Sequence, residues 1–159
     1  MRKFSIILLL CIFCLVGCAT TESISVDSFQ QIIEVPNASA NELYIKAIQW
    51  AVSTSNNAES VIGFSDNENG IVTGKYVERF YNVGLFSSWL DVTTIITIEV
   101  KDGKIRVTMD AGSFEYLTAN GDQSFARPIR ESVKEKLDLS WMNLATSLTN
   151  AISAETVDW

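Results

Sequence analysis

The sequence contains no histidine. That removes histidine general bases, serine–histidine and cysteine–histidine catalysis and the usual zinc sites, and leaves Lys, Tyr, Asp and Glu for acid–base work. Cysteine is scarce: Cys11, Cys14 and Cys18 all fall in the first eighteen residues. The rest of the chain has no disulfide and no thiol, so its stability must come from packing. Basic residues are also few, 12 Lys and Arg against 19 Asp and Glu, for a net charge of −7. Such a surface is poorly matched to phosphate backbones, and no nucleic acid is expected as a partner. No repeat, low-complexity run or Gly/Ser linker divides the chain.

What is present begins with a leader. Arg2 and Lys3 precede an apolar run from Phe4 to Val16, broken only by Ser5. A basic start followed by an apolar stretch of this size reads as a secretory signal. It is short for a permanent membrane helix, which needs about 20 apolar residues. The segment ends in Leu15-Val16-Gly17-Cys18. This resembles the lipobox of bacterial lipoproteins, in which a diacylglycerol is attached to the cysteine sulfur and a peptidase cuts before it. Small Gly17 suits a peptidase cleft, and buried acyl chains at about 0.8 kcal/mol per CH₂ anchor a protein when two or more act together. The expected organisation is a signal peptide over 1–17 cleaved between Gly17 and Cys18, a lipidated N-terminus and tether over 18–27, and one domain over 28–156. The bilayer is the expected partner through acylated Cys18. Ala19, rather than Asp, argues by analogy with lipoprotein sorting for the outer membrane, facing the periplasm, with the cell surface as the alternative.

Cleavage removes Arg2 and Lys3, leaving 10 basic and 19 acidic side chains over residues 18–159, a net charge of −9. Those 142 residues suit one domain with a real core. Ser25 to Val35 reads as a strand closed by Pro36. Ser39 and Glu42 have capping-box spacing, and Leu43, Ala47, Trp50 and Ala51 follow helical spacing, which predicts a helix over 40–54. Ser60 to Phe64 is a short strand. Asp66-Asn-Glu-Asn-Gly70 is a turn, and Ile71 to Phe80 is a strand with two mixed faces.

Leu90 to Val100 and Lys104 to Ala111 alternate apolar and polar residues about Asp102-Gly103. This predicts a hairpin with a type I′ turn and one buried face. Phe114, Tyr116 and Leu117 extend the pattern less clearly. Leu137, Trp141, Leu144, Leu148 and Ile152 place a helical stripe in the segment 129–154, with a division at Asp138 or Ser140. The expected fold is α+β, an antiparallel sheet of about five strands with two helices packed on one face.

Phe29-Gln-Gln-Ile-Ile-Glu-Val-Pro36 followed by Ser39-Ala-Asn-Glu-Leu-Tyr-Ile-Lys-Ala-Ile-Gln-Trp50 resembles the opening of the DUF4468 family. The strand Ile71-Val-Thr-Gly-Lys75 and the 90–110 hairpin fit the same pattern, so the family-like core covers 28–115. The resemblance implies a TBP-like fold and a Bacteroidota-type lipoprotein. It supplies no catalytic residue, and the fold label does not import DNA binding.

Asp66, Glu68 and the carbonyls near Asn67 and Asn69 offer the oxygens calcium prefers. They lack the twelve-residue series of an EF-hand, so a polar turn is the simpler reading and no metal or cofactor is expected. Lys75 and Lys104 have no serine at a motif spacing, and Asp91 and Asp110 cannot be paired from sequence. No catalytic residue is assigned. Tyr76, Phe80, Tyr81, Phe86 and Trp89 crowd around Asn82-Val83-Gly84. The simpler expectation packs these rings under the helices; the alternative displays Tyr81, Phe86 and Trp89 as a partner surface for a peptide, glycan or envelope protein. The leading functional expectation is a non-enzymatic lipoprotein domain that binds a protein or envelope component. A small-ligand carrier and a carboxylate-based hydrolase are the alternatives.

Overall fold

The computed structural model describes residues 25–54, 62–81, 89–117, 123–125 and 131–154. The leader, Gly17, Cys18, the tether through residue 24, and Phe86 lie outside the described residues. The elements in chain order are β1 (Phe29–Glu34), α1 (Ala40–Thr54), β2 (Ile62–Asp66), β3 (Ile71–Tyr81), β4 (Trp89–Lys101), β5 (Lys104–Leu117), β6 (Gln123–Phe125) and α2 (Glu131–Ser153). The strands pair antiparallel in the order β1-β5-β4-β3-β2. Short β6 lies beside the far end of β5, along the same edge as β1. The fold is therefore α+β, with both helices on one face of the sheet.

Alternation decides which face is covered. In β4, Leu90, Val92, Thr94, Ile96, Ile98 and Val100 are all buried, and the residues between them are partly open to solvent. Ile105, Val107 and Met109 continue the buried face in β5. The helices bring Leu43, Ala47 and Trp50 of α1 and Val133, Leu137, Trp141, Leu144, Leu148 and Ile152 of α2 onto it. Two indoles tie these layers together. Trp141 Nε1 donates to Thr94 Oγ1 at 2.9 Å inside the core, and Trp50 Nε1 donates to Ser147 Oγ at 3.1 Å between the helices. Buried polar groups need such partners, because each one left unpaired costs about 1–3 kcal/mol.

Helix α1 starts where the sequence places it. Ser39 Oγ accepts the N–H of Glu42 at 3.2 Å. A second acceptor comes from the β4–β5 turn: Asp102 Oδ1 takes the N–H of Ala40 at 2.7 Å. Glu42 turns to Lys46, with 3.2 Å between carboxylate and ammonium. Lys46 in turn donates to the carbonyls of Ile152 and Ala154, at 3.0 and 2.9 Å. A cation at the C-terminal carbonyls complements the helix dipole, and α2 has no basic residue in its own last turn.

Several sequence expectations differ from the structure: β1 begins at Phe29 rather than Ser25, and β2 runs on to Asp66 rather than ending at Phe64. The turn at Asp102-Gly103 is not type I′: Gly103 has φ of 75°, but Asn37 is the one non-glycine with positive φ among the described residues. Here Asp102 caps α1, while Gly103 exchanges backbone bonds with Val35 and Ala38. Strand β5 continues past Ala111 to Leu117, along the residues Phe114, Tyr116 and Leu117 that extended the pattern, but its alternation is broken once. Ala111 pairs with Thr94 and Ser113 with Thr93, so Gly112 is an extra residue that shifts the alternation and returns Phe114 to the covered side opposite Val92. Helix α2 is not divided at Asp138 or Ser140; the hydroxyl of Ser140 reaches out to Glu78 Oε2 instead of competing with the helix backbone.

Candidate functional site

Both helices share one face, and no described element covers the other face of the sheet. Cross-strand register maps it into rows: Ile71, Glu99, Arg106 and Ile32; then Thr73, Thr97, Thr108 and Gln30; then Lys75, Ile95 and Asp110; then Val77, Thr93 and Ser113; then Arg79, Asp91 and Glu115; and last Tyr81 and Trp89. Two bidentate ion pairs bridge neighbouring strands. Arg79 holds Asp91 through two bonds of 2.6 Å, and Arg106 holds Glu99 at 2.6 and 2.5 Å. The Arg106 guanidinium keeps the Glu99 carboxyl below its ordinary range.

The last row is the chemically distinctive one. Tyr81 and Trp89 face each other across β3 and β4, with ring centroids 4.4 Å apart and planes tilted by 49°. They remain 53% and 41% exposed despite that contact. Of the other aromatic residues in this region, Phe80 is buried and Tyr76 half-buried on the helix side, where burial, aided by the Glu78 carboxylate, pushes the Tyr76 phenol up. The four described rings thus divide by strand parity: 76 and 80 point under the helices, 81 and 89 point away. Phe86 lies outside the described residues.

Internal space is small. Beneath the end of α1, Trp50, Ile62, Val72, Tyr76, Ile96 and Ile98 line a void of about 30 Å³. A void of that size has room for about one or two waters. Larger spaces lie at the surface: about 410 Å³ between Val35–Ala38 and the end of α2, and about 630 Å³ between α1 and the turns at Gly70 and Asp102. A third, of about 190 Å³, lies among Ile32, Glu34, Glu99, Lys101 and Arg106 on the other sheet face. None of these spaces is a closed chamber inside the core.

The carboxylates are dispersed among structural partners. Asp66 accepts from the N–H and side-chain amide of Asn69 at 3.1 and 2.7 Å, which closes the 66–70 turn and holds the Asp66 carboxyl below its ordinary value. Asp91 belongs to Arg79, Glu99 to Arg106, Asp102 to the cap of α1 and Glu78 to Ser140. Asp110 lies opposite Ile95, four residues from Asp91 along β4, a separation of roughly 13 Å at the usual strand rise. Among the described residues no three acidic side chains gather as a metal site.

Residues 29–116 match the family described as a domain of unknown function, DUF4468, with a TBP-like fold. The chain belongs to the DUF4468 family. The match runs from β1 through β5, so α2 lies beyond it. Two solved structures are similar to the DUF4468 chain. A DUF4468 family protein from Bacteroides ovatus is 18% identical, with 88% of this chain and 95% of that one covered at a TM-score of 0.60. A TBP-like protein from Parabacteroides distasonis is 14% identical, with 80% and 94% covered at a TM-score of 0.58. At such identities the likeness establishes fold alone. No curated protein sequence matches the DUF4468 chain.

Sequence reasoning missed the two ion pairs, although their signal is present. Glu99 and Arg106 are equidistant from the Asp102-Gly103 turn, so hairpin register alone places them opposite. Arg79 and Asp91 bracket an uncharged stretch in the same way. The Lys46 and Glu78 contacts depend on how the helices sit on the sheet, which no local pattern encodes.

Proposed function

We propose that this DUF4468 domain is a non-enzymatic binding module, held at a membrane by lipid on Cys18, that meets an envelope component through the open end of its sheet. The observation that carries the binding half is the exposed Tyr81–Trp89 ring pair. It supplies amphipathic ring surface, of the kind enriched at interfaces, on two rigid adjacent strands. The small space beneath α1 and the carboxylates held by structural partners favour surface binding over a ligand chamber or a carboxylate active site. The anchoring half rests on the leader and the Leu15-Val16-Gly17-Cys18 motif. The sorting argument from Ala19 favours the outer membrane, facing the periplasm.

A photoreactive amino acid placed at position 89 of the full chain in cells tests the binding site. The expected result is a reproducible adduct from position 89 and none from position 142, a more exposed site on α2. Equal or absent labelling at the two positions would count against the ring pair as a contact.

A further inference from the structure

We propose that the Tyr81–Trp89 pair rests in the interfacial layer of the bilayer that holds Cys18, so that the domain stands on the membrane at this end of its sheet. The inference builds on the lipid-anchor reading and names the partner of the ring pair.

Chain direction is the first argument. β1 runs from the level of Met109 toward Lys104, that is, toward the Asp102-Gly103 turn. The chain arriving at Phe29 therefore comes from the opposite side, where β5 continues to Leu117 and pairs it with Trp89. Seven strand steps across the bulge separate the level of Met109 from that of Leu117, about 23 Å. Ten residues, eleven Cα steps, separate Cys18 from Phe29, at most about 40 Å of extended chain, with Val26 near its end packed against the core. The lipidated end thus has enough chain to lie beyond the Trp89 row, on the side from which the chain enters.

Chemistry is the second. Tyr and Trp are the residues that favour the headgroup level of a bilayer, because each joins an apolar ring to a polar tip. The processed chain carries a net charge of −9, yet no charged residue occurs between Arg79 and Asp91, and those two bind each other. The ring pair itself is uncharged, and the row beside it holds the Arg79–Asp91 pair and Glu115, one net negative charge. The ring pair suits a zwitterionic lipid interface, and its contact with that interface is insensitive to salt.

The test uses residues 18–159 coupled through Cys18, their one thiol, to a maleimide phospholipid in phosphatidylcholine vesicles with brominated acyl chains. This supplies the anchor whether or not the cell lipidates Cys18, so failure of docking and failure of anchoring are read separately. Tryptophan fluorescence is compared between wild type and Trp89→Phe. Trp50 and Trp141 are buried, and Trp159 is common to both proteins. The expected result is bromolipid quenching in wild type that is lost in Trp89→Phe and unchanged by 0.5 M salt (about a 4 Å screening length), with unaltered circular dichroism. No quenching, quenching equal in both proteins, or quenching that needs an added envelope protein would overturn the proposal.

Discussion

Thr94→Val isolates one bond in the middle of the core. Thr94 and Trp141 are each 1% exposed, and the indole N–H of Trp141 reaches the Thr94 hydroxyl at 2.9 Å. Valine keeps the shape and removes the acceptor, leaving a buried donor unpaired. That costs about 1–3 kcal/mol, and the gain from burying a methyl in place of a hydroxyl offsets part of it. The net loss is expected at about 1–2 kcal/mol, or roughly 3–8 °C in Tm for a domain of this size. Urea unfolding measures it, and the slope of the transition should not change, because no further surface is exposed. The double variant with Trp141→Phe completes the argument. With the donor gone, Thr94→Val should become neutral or stabilising, with a coupling energy of about 1 kcal/mol. A Thr94→Val protein as stable as wild type, or strictly additive effects, would refute the assigned role of the bond.

Lys46→Met should destabilise by about 1–2 kcal/mol, since it removes the charged donor to the last carbonyls of α2; hydrogen exchange should show the loss concentrated in the turn around Ile152. Gly70→Ala and Gly103→Ala should differ. Both positions have positive φ, but a Cβ at Gly70 would lie 2.6 Å from the Val100 carbonyl oxygen, whereas at Gly103 its nearest contact is 3.9 Å. The expected costs are about 3 kcal/mol and about 1 kcal/mol, read from urea midpoints. Acid should weaken the fold in a defined direction. Asp66 and Glu99 both have carboxyls held below their ordinary values by hydrogen bonds from Asn69 and Arg106. Their stabilisation is present above the ordinary carboxylate range and is lost as pH falls through the lowered values. Asn69→Ala should raise the Asp66 titration, followed by NMR, toward its usual range, while the backbone N–H groups of residues 68 and 69 still hold it down.

The hairpin from 90 to 110 and helix α1 were legible because local rules decide them. Strict alternation about Asp102-Gly103 sets the register, and the Ser39 cap sets the helix start. Strand β5 was clearly legible only to Ala111, since the bulge at Gly112 breaks the alternation on which the reading depends. The stripe of α2 was visible, but its continuity through Ser140 was not, because the Glu78 carboxylate that takes the hydroxyl comes from a strand 62 residues earlier. At the candidate site, parity separates the outward pair Tyr81 and Trp89 from the inward Tyr76 and Phe80. Both faces of the 71–80 segment read as mixed, since Gly74 and Glu78 share the buried parity with Val72. Only the pairing with β4, whose covered face is continuous, assigns the sides.

The central functional claim is that a lipid on Cys18 holds a DUF4468 domain at a membrane. Intact mass of the protein extracted from the membranes of its own cells tests it most directly. The expected mass is that of residues 18–159 plus a diacylglyceryl group, with or without a further acyl chain on the new N-terminus. A mass equal to unmodified residues 18–159, or to the uncut 159-residue chain, would contradict the claim.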